Sequence, residues 1–439
     1  MTRAASLTFL AFLVAPIAAR AEFPAPLTDA DYAPVSVMEA KLGQLLFYDA
    51  VLSGNRNISC ATCHHPKFGT SDGMSLGLGE GAAGLGPARY ALNENTPEQR
   101  IPRNSPALFN LGAKEFTILF HDGRIGVDPT RPSGLRTPME DEMVTGFTSI
   151  LSAQTMFPVL SGDEMAGHYS ENDVAKAVRS GRITGSGGAW DVIAKRVAEL
   201  PDYASQFAAV YPEIAAGRAI GFTDISNAIA AFIEFEWRSD TSPFDAWLAG
   251  KADLSQDAVA GAEFFYGDGG CATCHAGALQ TDHDFHAMAA PQIGPGKAER
   301  FEKHSNDEGR GRVTGRAEDR FAFRTPSLRN VTATGPWGHA GAHTNLAQFL
   351  RDHAEPREGL NRFTRPTLPD LPNTKPDWVV MDDPAKRFEI AQAAPVGEAL
   401  DEARIRELMA FLGALTDPSA IEGRLGIPEA VPSGLPIER

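Results

Sequence analysis

Every cysteine in the chain lies in one of two copies of the pentapeptide CATCH: Cys60-Ala61-Thr62-Cys63-His64 and Cys271-Ala272-Thr273-Cys274-His275. Two C-x-x-C pairs alone would suit two small disulfides or a single zinc site. The histidine that follows each pair points elsewhere, because C-x-x-C-H is the attachment signature of a c-type haem. One helical turn separates the two thiols, so both can bond the vinyl groups of one haem. The next residue then turns its imidazole toward the iron. Two covalently bound c-type haems are therefore expected, attached through Cys60, Cys63, Cys271 and Cys274. His64 and His275 are the expected iron ligands, and the distance between the motifs along the chain assigns the haems to two domains.

The sixth position on each iron decides the chemistry. Two strong ligands make an electron carrier, whereas one open position makes an iron that can react with peroxide. No histidine lies between His65 and His121, and His65 is too close to His64 to reach the opposite face. Met74, Met139, Met143, Met156 and Met165 are the remaining candidates near the first haem, although methionine more often fills a core. Downstream of the second motif stand His339, His343 and His353. His353 falls on a helical stretch from which it could reach the second iron; a surface histidine at a helix end is the alternative.

Helices must hold these residues. TDISNAIAAFIEFEW (223–237), NLAQFLRDHAE (345–355) and DEARIRELMAFLGALTD (401–417) carry apolar residues at helical spacing, the first with Thr223 or Asp224 as its cap. VMEAKLGQLLFYD (37–49) and DAVAGAEFFYGD (257–268) read as helices that each end shortly before a CATCH, a weak internal repeat. Few segments read as strands. The fold class is mainly α: two cytochrome c-type haem domains packed against each other, with long loops at 124–146 and 289–320. The turn-rich segment 239–255 marks the boundary between domains 22–240 and 241–439.

The 439 residues, 43% of them hydrophobic, suffice for two cores. A formal net charge of −16 disfavours nucleic acid as a partner. Arg3, an apolar run from Leu7 to Ile17 and Ala19-Arg20-Ala21 read as a signal peptide, 1–21, cleaved after Ala21. The run is too short to span a bilayer, and no later stretch is long and apolar enough. A soluble, exported, periplasmic protein is expected.

The segments LGQLLFYDAVLSGNRNISCATCHHP, IPRNSPALFN, FHDGR, SAQTMFPVLSGDEMAG, SPFDAWLAG, GAEFFYGDGGCATCH, FRTPSLRNVTATGPWGHAG and ELMAFLGALTD together resemble the di-haem cytochrome c peroxidase and MauG superfamily. The resemblance runs from about residue 35 to residue 416 and is nearest to MauG- or MbnH-like members. It implies that the first haem meets hydrogen peroxide beneath Gln154, Pro158 and Glu164. A carboxyl held in a dry pocket can carry a proton between the two peroxide oxygens; a solvated helix-start glutamate is the alternative reading of Glu164.

The histidine that ordinary peroxidases of the superfamily carry on the loop after the first motif has no counterpart in residues 71–95, so an open peroxide site is implied. The second haem is expected to take His275 and His353. His121 replaces the tryptophan usual between the haems, and His339-Ala340-Gly341 departs from the usual H-D-G. A calcium site is implied at Asn104, Thr334 and Pro336, with Asn104 as a plain turn residue the alternative. Tyr266 and Trp337 are candidate relays or core aromatics.

The function implied is peroxide-driven oxidation of a partner protein's side chain through a high-valent di-haem state. The alternatives are a peroxidase fed by a small periplasmic redox protein and a non-enzymatic electron carrier.

Overall fold

The computed structural model describes residues 22–297, 304–372, 374 and 377–439. The leader, 1–21, lies outside them. Six helices position the site: α1 (Val37–Tyr48), α2 (Ile150–Thr155), α3 (Phe222–Glu236), α4 (Gln256–Tyr266), α5 (Leu346–Ala354) and α6 (Glu402–Ala414). Most begin as their sequences suggest. The side chains of Ser36, Ser149, Ser255, Asn345 and Asp401 each accept an N–H from the first turn of α1, α2, α4, α5 and α6. For α3 the cap lies two residues before Thr223 and three before Asp224, the two expected positions. Gly221 stands there, and Asp224 reaches back to accept the Gly221 N–H at 2.8 Å.

The same helix pair is built twice. In the first half α1 crosses α3; in the second, α4 crosses α6. Glycine permits both crossings. A Cβ on Gly43 of α1 would stand 1.8 Å from the Ala228 carbonyl oxygen, and one on Gly261 of α4 would stand 2.1 Å from that of Glu407. Four residues beyond each contact a phenylalanine closes the joint, Phe232 in α3 and Phe411 in α6. Phe232 packs on Phe47 and Trp237, while Phe411 packs on Phe244 and Phe265. Two separate hydrophobic cores form around these pairs.

Strands are few and short. Ala82–Ala83 pairs with Tyr90–Ala91, and Phe285–His286 with Phe323–Arg324, both antiparallel. A three-stranded meander joins Ile118–Leu119, Ile125–Val127 and Leu135–Arg136. Two of its strands lie inside the stretch 124–146 expected as loop. They are two or three residues long, too short for alternation to register in sequence.

Past α6 the chain returns to the first half. Ala420 and Val431 join its core. The Glu236 carboxylate accepts the backbone N–H groups of Arg424, Leu425 and Gly426, and Ser433 donates to Asp49 at 2.6 Å. A buried cluster ties the halves together: Arg103 bonds Asp307 through Nε and Nη2, both at 2.7 Å, and Asp122 at 2.8 Å.

Candidate functional site

Ser59 opens the short helix Cys60–Cys63, and His64 ends it. The His64 Nδ1 lies 2.9 Å from the Thr70 carbonyl. A carbonyl only accepts, so Nδ1 carries the proton and Nε2 keeps its lone pair. Ser105 Oγ sits 3.2 Å from the same Nδ1 and donates to the Cys63 carbonyl. The second motif repeats the device: His275 Nδ1 donates to the Gln280 carbonyl at 3.0 Å. Burial lowers the pKa of both imidazoles and keeps them neutral. The same bond orients each ring and raises its power as a ligand.

No disulfide joins the four cysteines of the two motifs. Burial pushes Cys60 and Cys63 up to about 12 and Cys271 up to about 11. Two thiols and the adjacent imidazole in each motif are the donor set that a c-type haem takes.

His353 stands in the last turn of α5 and faces His275, with ring centres 6.2 Å apart. Burial and the neighbouring His275 push it down to about 4, so it is a neutral base. A metal bonded to two imidazoles at about 2 Å each sets ring centres close to that separation. The residues thus fit an iron between them. His343 lies beside Phe349 and Phe363 with its Nδ1 3.7 Å from Asp352, and His339 stacks on Phe323 at 3.8 Å.

The residues expected over the first haem lie on α2 and the two turns that follow it. Gln154 is half-buried near the end of α2, and its Oε1 is buried without a partner. Pro158 starts the turn Pro158–Leu160. Glu164 lies in a wide π-type turn, Gly162–Ala166, its N–H held by Ser161 Oγ at 3.3 Å. It is therefore a capped helix-start glutamate, as one reading had it, but half-buried, and close enough to Cys63 for its charge to raise that thiol. Met74, Met143, Met156 and Met165 are core residues, and Met139 packs against the same core as the last three.

His121 bridges the two haem-binding segments. Its Nε2 lies 3.4 Å from the carbonyl of Asn104, the residue before Ser105. Its own carbonyl accepts the Arg324 N–H at 2.8 Å, two residues before Pro326, whose backbone borders His275. Burial, with help from Arg103 and His339, pushes His121 down to about 3 and leaves it uncharged.

Asn104 Nδ2 donates to the Pro336 carbonyl at 3.0 Å, while its Oδ1 is buried without a partner. Thr334 lies two residues before Pro336 and donates its hydroxyl to Val331. An orphan amide oxygen beside free carbonyl lone pairs suits a hard cation. Tyr266 and Trp337 both pack against the second core; Tyr266 Oη accepts from Gln280 Nε2, and Trp337 Nε1 donates to the Val331 carbonyl. Sequence reasoning missed the Arg103–Asp122–Asp307 cluster. Arg103 adjoins Asn104 and Asp122 adjoins His121, but nothing local announces that they meet.

Twin helix pairs, each beside a C-x-x-C-H segment whose histidine ring is fixed by a carbonyl, are the frame of a two-haem redox protein. Residues 38–253 match the family model for di-haem cytochrome c peroxidase. The chain belongs to that family and is a haem oxidoreductase.

It is 28% identical to the methylamine utilization protein MauG of Methylorubrum extorquens over 73% of this chain and 69% of that protein. It is 27% identical to the cytochrome c551 peroxidase of Pseudomonas aeruginosa over 72% of each. Among solved structures, a MauG-like protein associated with microbial copper homeostasis has the same fold. It is 23% identical, covers 94% of this chain and 97% of its own, and has a TM-score of 0.57. The diheme peroxidase BthA from Burkholderia thailandensis is 21% identical over 97% and 98%, with a TM-score of 0.55.

Proposed function

We propose that this protein uses hydrogen peroxide to oxidise a side chain of a partner protein, as a MauG- or MbnH-type enzyme. It would work as two units, 22–240 and 241–439, with the closing segment strapped onto the first. When bound through the two cysteine pairs, the haems supply the iron that peroxide meets and the redox group that exchanges electrons with the partner. Peroxide takes up two electrons and two protons as its O–O bond breaks, and leaves as two waters. The partner side chain gives up the electrons.

In this reading Gln154 Oε1 accepts a hydrogen bond from peroxide, and Glu164 carries a proton from the inner to the outer oxygen. Pro158 shapes the turn between them. His121 stands where electrons cross between the halves, and its neutrality keeps a charge out of that path. Asn104, with the Pro336 and Thr334 carbonyls, would hold a calcium ion.

The observation that carries the reading is His353 facing His275. A second imidazole in place of methionine lowers a haem's potential, which suits a haem that helps store oxidising power more than one that takes electrons from a high-potential donor. A second reading is peroxide reduction with electrons from a small redox protein; it is favoured by the near-equal similarity to the Pseudomonas peroxidase. Export to the periplasm fits the leader. Among the described residues no helix is long and apolar enough to cross a membrane.

The test is an EPR and absorbance spectrum of the ferric protein before and after one equivalent of hydrogen peroxide. One high-spin and one low-spin haem, with a long-lived oxidised species after peroxide, is the expected result. Glu164→Gln should slow its formation by roughly 10²–10⁴-fold, the usual worth of a positioned acid–base group. Two low-spin haems that ignore peroxide would overturn the reading.

A further inference from the structure

Behind Glu164 lies a device that the proposed chemistry has not used. A π-type turn is a rare and loose form whose shape depends on outside partners. The turn Gly162–Ala166 has several such partners, among them Gln99 Nε2, which donates to the Asp163 carboxylate at 2.7 Å. Glu80 N–H donates to the Asp163 carbonyl at 3.0 Å, Gly54 N–H to that of Met165 at 2.8 Å, and Asn172 Nδ2 to that of Ala166 at 2.9 Å. The contact at Asp163 is backbone on backbone. A Cβ on Gly79 would stand 2.0 Å from the Asp163 oxygen, so nothing larger than glycine fits.

What holds Gly79 and Glu80 in place is Arg89. Its side chain is only 2% exposed. Nε donates to the Leu78 carbonyl, Nη2 to that of Gly79 at 2.8 Å, and Nη1 to that of Gly84 at 2.8 Å. Glu438 in the closing segment lies 3.6 Å away, and the buried Asp72 carboxyl also feels the charge of Arg89. A buried guanidinium spent mainly on peptide carbonyls wraps the loop 78–89 around itself. On the other side Glu80 Oε1 accepts the amides of Asn55, Asn57 and Asn95 at 2.8–3.1 Å, which closes the loop against Ser53-Gly54. A continuous path of contacts thus runs from Arg89 through Gly79 and Glu80 to Asp163 and the residue after it.

We propose that Arg89 is a positioning residue for Glu164, acting through the Gly79–Glu80 backbone that buttresses the Asp163 carbonyl. The proposal rests on Glu164 serving as the acid–base group. The charge of Arg89 also reaches the Cys63 sulfur, so the test must separate an effect through Glu164 from one that bypasses it.

The experiment is a double-mutant cycle on the ferric holoprotein, following the reaction with hydrogen peroxide by stopped-flow absorbance. Arg89→Met should slow the reaction by on the order of 10- to 100-fold, the cost of a misplacement near 1 Å. In a Glu164→Gln background the same change should add almost nothing, because it acts through a group already removed. Two haems per chain and an unaltered low-spin signal from the second haem show that the fold is intact.

Losses that multiply in the double variant would overturn the proposal, since Arg89 would then act independently of Glu164. So would an Arg89→Met rate within about twofold of the parent when Glu164→Gln is slow; the acid–base role would survive that result. If Glu164→Gln alone changes nothing, the acid–base role fails and the proposal falls with it. Should Arg89→Met not assemble, Gly79→Ala presses on the same carbonyl with Arg89 in place. It should show the same loss and the same non-additivity, and a normal rate there overturns the proposal.

Discussion

His353 and His121 are two buried histidines put to different uses. Both are stripped of charge by burial, His353 near 4 and His121 near 3. Of the two, His353 faces another imidazole across a gap that would fit an iron. Replacing it should therefore change one haem and not the other. His353→Ala is expected to convert the low-spin EPR signal of the second haem to high-spin, and added imidazole should restore it. An unchanged low-spin signal would mean that another group ligates that iron. The sequence placed His353 on a helix by its spacing; its opposition to His275 is a tertiary fact that no spacing contains.

At the scale of elements, the crossings α1–α3 and α4–α6 decide whether each half can hold its haem. Gly43 and Gly261 sit where one helix backbone touches another. Gly43→Val should overpack the first joint at a cost of about 3 kcal/mol, and Gly261→Val the second. Because the halves are tied together, each variant should lower the single thermal midpoint followed at the haem absorbance; an unchanged midpoint would show that the joint tolerates the added bulk. Five of the six helices were legible because apolar residues recur at helical spacing; α2, six residues long, was not. The three small sheets were not, since two-residue strands leave no pattern. The π-type turn under Glu164 was also invisible, as its shape is imposed by Gly54, Glu80 and Asn172 from elsewhere in the chain.

Across the whole molecule, Arg103 joins the halves. It holds the Asp122 and Asp307 carboxyls well below the usual carboxylate range, against the burial that would raise them. Lowered carboxylate pKa values contribute stability that is full above about pH 4 and is lost as pH falls below it. Arg103→Met strands Asp307 in the interior and should cost about 3–5 kcal/mol. Urea unfolding at pH 7, followed at both haems, should then split into two transitions where the parent shows one. If the variant unfolds in a single step with unchanged midpoint, the cluster does not couple the halves. The closing segment is a second tie, through Glu236, Asp49 and Arg89.

By itself the sequence determined the covalent chemistry and the local elements. Two CATCH segments, a helix before each and a mainly helical chain follow from residue type and near-neighbour spacing, which is where helical periodicity and attachment motifs act. Tertiary structure alone decided what faces what. It put His353 opposite His275, His121 between Asn104 and Arg324, and Arg89 behind the turn that carries Glu164. It also brought the last twenty residues back onto the first half. These arrangements join residues tens to hundreds of positions apart, and they are set by burial and hydrogen-bond satisfaction summed over the folded chain, which no local window of sequence records.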